Sequence, residues 1–170
     1  MTLSIAKAAV LFFVAVVIQV TIVSSIGILG GSPDLVLVLI VAVALTQGSI
    51  FGAVSGFWAG LLFDIARLGT LGFTSLLLTL AGFWIGRYGE TTGRDRAHAP
   101  LLSVAVVTVL YAFASLVLHF LLGEPAPAGI MLDELPGTIA LNLILTYPAF
   151  ALVRRLFAQP ARPPEVEFVG

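Results

Sequence analysis

The side chains able to do chemistry are few, and most of them stand at the ends of apolar runs. Asp64 closes one such run, three residues before Arg67. A carboxylate held among membrane helices is costly and marks an ion path, a proton relay or a polar clamp. At the end of a helix, the i,i+3 spacing makes an ion pair with Arg67 the ordinary alternative. Asp34 follows Pro33 and takes the place of an N-cap, where a carboxylate satisfies free amide groups. Gln19, Asn142 and Thr146 fall in the middles of apolar segments. There, amides and hydroxyls either tie helices together, at about 1 kcal/mol each, or touch a ligand.

Other chemistries find little support. His119 stands alone in the fifth apolar segment, and the second histidine, His98, lies in a basic loop. With no cysteine in the chain, zinc-thiolate sites, disulfides and thiol catalysis are excluded. No serine, histidine and acid are spaced to act together, no paired carboxylates suggest a cleft, and no glycine loop precedes a lysine. The expectation is a protein without catalytic activity, cofactor or metal. Trp58 and Trp84 each follow a phenylalanine, and packing or anchoring at the membrane interface is their default role.

The elements that carry these residues are apolar. The chain is 59% hydrophobic and 10% charged, against about 25% charged in a typical soluble domain. Its 170 residues make one unit, and a net charge of −1 gives no reason to expect nucleic acid as a partner. Apolar stretches run over residues 8–26, 35–45, 50–65, 71–85, 101–122 and 139–153. Turn-forming residues separate them at 30–33, 69–70 and 123–136. The first is about 19 residues, enough to cross a hydrocarbon core of about 30 Å. It is longer than a signal-peptide core and no A-x-A site follows it, so it reads as an uncleaved membrane helix.

The third segment carries a glycine every fourth residue: Gly48, Gly52, Gly56 and Gly60, with Asp64 next in the series. A step of four advances a helix by roughly one turn, so these positions form one ridge. Glycine in a soluble helix costs about 1 kcal/mol relative to alanine, whereas in lipid it lets another backbone approach. Gly82 and Gly86 repeat the step once in the fourth segment. The expected surface is a helix–helix contact, within the bundle or toward a partner. Pro148 interrupts the sixth segment, where a kink is expected.

Orientation follows from the eight basic residues. With six crossings and a cytoplasmic N-terminus, Lys7, Arg87, Arg94, Arg96, Arg154, Arg155 and Arg162 lie inside and Arg67 alone outside. The second segment would span only about 17–21 Å as a helix. Were it re-entrant, five crossings with the N-terminus outside would give a weaker asymmetry. A short, tilted second helix in a locally thinned bilayer is the cheaper solution. The expected fold is therefore an all-α integral membrane protein, a six-helix transmembrane bundle with a short second helix and both termini cytoplasmic. Residues 1–157 form the membrane domain, and 158–170 form a disordered, proline-rich, charged tail.

These residues carry a resemblance. Pro33-Asp34-Leu35-Val36-Leu37, opening a short helix, resembles the rod shape-determining MreD family. So do Gly48-x3-Gly52-x3-Gly56-Phe57-x2-Gly60-Leu61-Leu62-x-Asp64, then Leu71-Gly72-Phe73-x-Ser75-Leu76 and Gly82-Phe83-x2-Gly86-Arg87. Asn142 to Pro148 with Arg154-Arg155 is similar to its last helix, and the likeness covers roughly residues 8–157. The resemblance implies a non-catalytic scaffold of the bacterial inner membrane in the cell-elongation and peptidoglycan-synthesis complex. It also implies binding to the single-pass protein MreC, and work with MreB filaments, a RodA-type glycosyltransferase and a class B penicillin-binding transpeptidase. The family is similar in fold to the substrate-binding subunits of energy-coupling-factor transporters. A small-molecule- or lipid-binding membrane subunit is accordingly the alternative.

Overall fold

A computed structural model describes residues 2–23, 30–68, 70–92, 99–123 and 128–157. Among them run six helices and no strand: α1 Thr2–Thr21, α2 Leu35–Gln47, α3 Ser49–Arg67, α4 Phe73–Thr92, α5 Ala99–Leu121 and α6 Ala128–Phe157. Four of these, α1, α3, α5 and α6, are long and apolar enough to cross a membrane. The tail and the basic loop at Arg94–His98 lie outside the described residues.

Successive helices run in opposite directions, so both chain ends come to the same end of the bundle. There the Lys7 ammonium donates to the Leu156 carbonyl at 2.8 Å, joining α1 to the last turn of α6. The second helix is the centre of the fold. Every residue from Val36 to Leu45 is buried, and α2 packs against all five other helices. A helix that is apolar on every side has no polar face to show to water and is stable only when surrounded. At 13 residues it reaches about 20 Å. It needs no thinned bilayer, contrary to the expectation from its length, because mismatch acts only on surfaces that meet lipid. The run Leu35–Leu45, short and apolar on all sides, already carried the signal of a buried core helix.

Two boundaries differ from the sequence reading. α4 continues past Ile85 to Thr92, carrying Arg87 and Glu90 on its last turns. α6 begins at Ala128 rather than 139, with Pro136 and Pro148 both inside it. Proline removes one amide donor but does not forbid a helix whose neighbours hold it. Gly48 is not an interior helical residue: with φ 96° and ψ 178° it is the single residue between α2 and α3, a backbone conformation that suits glycine.

Candidate functional site

The third and fourth helices meet along a seam built from missing side chains. A Cβ added at Gly52 would lie 2.6 Å from the Gly82 carbonyl, and one at Gly56 would fall on the carbonyl of Leu78. At Gly60 it would meet the backbone of Ser75, and at Gly86 the backbone of Ser49. The pairs 60 with 75, 56 with 78, 52 with 82 and 49 with 86 describe one antiparallel register. Backbone thus lies on backbone over three turns, where dispersion is gained without side-chain volume. Across the seam the Ser75 hydroxyl donates to the Phe57 carbonyl at 2.9 Å.

Each helix of this pair also caps the other. The Asp64 carboxylate, in the last turn of α3, accepts from the amides of Gly72 at 2.9 Å, Thr74 at 3.2 Å and Ser75 at 3.4 Å. These are amides around the first turn of α4, where such donors lack intrahelical partners. At the opposite end Glu90, in the last turn of α4, accepts from the Ser49 amide at 2.8 Å and the Ser49 hydroxyl at 3.0 Å. Glu90 lies beyond the apolar part of its helix. The hydrogen bonds from Ser49 hold its carboxyl below the ordinary value, with Arg87 at 3.6 Å adding a smaller push in the same direction.

A second polar set binds the start of α2. The Gln19 side chain of α1 accepts from the Leu35 amide at 2.7 Å and donates to the Pro33 carbonyl at 3.0 Å. Asn142 of α6 accepts from the Asp34 amide at 2.7 Å and donates to the Thr108 hydroxyl of α5 at 3.0 Å. Asp34 caps its own helix, accepting from the Leu37 amide at 2.9 Å. The side chains of Gln19, Asp34 and Asn142 thereby do at this half-buried helix start what water does at a surface one.

Beside these two sets, at the end away from the termini, a chamber of about 920 Å³ opens between the helices, and each of the six contributes to its wall. Asp34, Asp64, Glu134 and Arg67 line it, with Tyr111 and His119 of α5. The Arg67 guanidinium lies over the Phe63 ring, 5.1 Å from its centre. Asp64 makes no ion pair with Arg67, contrary to the pairing their spacing suggested; the ion pair among the described residues is Arg87 with Glu90. Local spacing misled because the free amides of α4 offer a carboxylate three donors at once.

His119 lies at the chamber wall with its Nδ1 2.8 Å from the Ser115 carbonyl, and Thr146 donates to the Asn142 carbonyl at 2.7 Å. Trp58 and Trp84 lie on the outer surface, each edge-on to the phenylalanine before it. Among the described residues no three His, Asp or Glu side chains gather in a way that could hold a metal ion. Sequence reasoning passed over Glu90, Thr108, Tyr111 and Glu134. For Glu90 a signal existed, an acid at the end of one helix facing the bare start of another, but only the antiparallel register shows that the two meet.

No curated protein and no solved structure is detectably similar to the chain. The family model of rod shape-determining protein MreD matches residues 2–159, and the chain belongs to that family.

Proposed function

We propose that this protein is a non-catalytic, multi-pass scaffold of the bacterial inner membrane, serving the cell-elongation complex that builds peptidoglycan. Family membership, which implies a role in rod shape determination, carries the reading. Its direct partner is MreC, and through MreC it works with a RodA-type glycosyltransferase, a class B penicillin-binding transpeptidase and MreB. Both termini are cytoplasmic. Of the described basic residues, Lys7, Arg87, Arg154 and Arg155 stand at the end that holds the termini, and Arg67 alone stands at the other, as the positive-inside rule favours.

The glycine seam is occupied by α4, so a partner helix packs on the outward apolar side chains instead. Val10, Phe13 and Val17 form such a stripe on α1, and Leu102, Val106 and Val109 form one on α5, away from the α4 side of that helix. Co-purification in mild detergent tests the reading: MreC is expected to be retained by the wild-type protein and lost when these stripes are made polar. Purified protein that turns over a lipid-linked precursor, with turnover abolished by one substitution, would contradict it. The chamber favours a second role alongside this one, the binding of a small molecule or lipid.

A further inference from the structure

Two hollows meet at the end of the bundle away from the termini. One is the polar chamber of about 920 Å³; the other is a groove of about 440 Å³ between α4 and α5, lined by apolar side chains such as Leu76, Leu77, Phe113 and Val117. Thr70, Phe73, Leu118 and Leu122 border both, so the groove is a side passage of the chamber. Its rim residues Leu76 and Phe113 are exposed on the outer surface of the bundle. A polar room joined to an apolar passage fits a molecule with a polar head and a hydrocarbon chain. A free ion would leave the groove unfilled, and a wholly apolar molecule would strand the chamber's polar groups.

Charge selects among such molecules. Three carboxylates, Asp34, Asp64 and Glu134, face one guanidinium, Arg67. That surplus repels a head that is only anionic. Asp34 and Asp64 already hold backbone amides, while Glu134 is exposed, which leaves it the most available acid. Arg67 is ion-paired to none of the described carboxylates and offers its donors to a phosphate.

We propose that chamber and groove together bind one zwitterionic phospholipid carrying a primary amine. Its phosphate lies on Arg67, its ammonium on Glu134 and the neighbouring acids, and one acyl chain in the α4–α5 groove. The inference rests on the ligand-binding role of the chamber and is independent of MreC binding, which is measured in the same preparation.

The full-length protein in mild detergent is titrated with phosphatidylethanolamine, phosphatidylglycerol and soluble O-phosphoethanolamine, read by native mass spectrometry and thermal shift. Phosphatidylethanolamine is expected to bind and to raise Tm, phosphatidylglycerol to do neither, and the soluble head group to bind at least about tenfold more weakly than the lipid. Arg67→Gln and Glu134→Gln are each expected to weaken lipid binding about tenfold while leaving the lipid-free Tm unchanged. Ala114→Trp, which fills the groove, is expected to weaken the whole lipid and spare the head group; Leu76→Trp at the exposed rim repeats the test if the first variant does not fold.

Equal binding of the two lipids, or wild-type affinity in both charge variants, overturns the proposal. A head group that binds as tightly as the lipid, with both tryptophan variants silent, assigns the chamber to a soluble zwitterion and overturns the lipid. Exclusion of the lipid once MreC is bound, with crosslinks from the chamber to MreC, assigns it to a polypeptide and also overturns the proposal.

Discussion

Helix α4 treats its two flanks in opposite ways. Toward α3 it lays bare backbone on bare backbone, with glycines in register and a carboxylate closing each end of the pair. Toward α5 it scarcely packs, and Leu76, Leu77, Phe113 and Val117 border a groove there. Small residues bring two helices into contact along their length, whereas large ones hold them apart and leave space that a ligand can use. The closed flank therefore carries stability, and the open flank carries the capacity to bind.

The sharpest way to break this contrast is to put volume into the seam. Gly56→Leu places a side chain on the Leu78 carbonyl, which is backbone and cannot swing aside. The loss is expected at or beyond the upper end of the 1–3 kcal/mol typical of overpacking, seen as aggregation or loss of the melting transition in detergent. Val54→Leu, on the outward side of the same helix, is expected to stay within about 0.5 kcal/mol. A Gly52→Leu, Gly56→Leu double variant that folds and melts normally would contradict the seam.

Removing a cap sharpens the comparison. Asp64→Ala takes the acceptor from three amides at the start of α4, at an expected cost of about 2 kcal/mol, with Asp64→Asn restoring part of it. Asn142→Ala leaves the Asp34 amide and the Thr108 hydroxyl without this partner, at an expected cost of about 1–3 kcal/mol, measured as a shift in Tm.

The smallest effect is expected at Glu90. Its carboxyl titrates lower in the fold than in the unfolded chain, because Ser49 donates to the ionised form. The stabilisation is therefore present above its ordinary value of 4.5 and is lost as pH falls from there through the lowered folded value. A Tm measured against pH should fall across that window and flatten in Glu90→Gln. Identical profiles for the two proteins would remove this cap from the account.

What the sequence made legible depended on how local the signal was. The step of four glycines reads as a ridge from within one helix, and the 35–45 run reads as a short apolar helix between Pro33 and Gly48. Which helix covers the ridge was not legible, since it depends on the register of α4. Pro136 hid the first turns of α6, because a proline among loop-forming residues reads as a break. The chamber was the least legible feature. Its walls come from every helix, and the bond from the Asp34 amide to Asn142 joins residues 108 positions apart. The i,i+3 spacing of Asp64 and Arg67 pointed to an ion pair, whereas the fold spends the carboxylate on amides from the next helix.

The central claim is that the seam is spent inside the bundle, so a partner helix meets the outward apolar faces. Since the chain has no cysteine, each one introduced is the sole reactive thiol. Single cysteines at Phe13, Val17, Val106 and Val109 on the outer faces, and at Ser75 in the seam, can be tested for crosslinking to MreC in membranes. The account predicts crosslinks from outer positions and none from Ser75→Cys. Crosslinking from Ser75→Cys, with the outer positions silent, would contradict it.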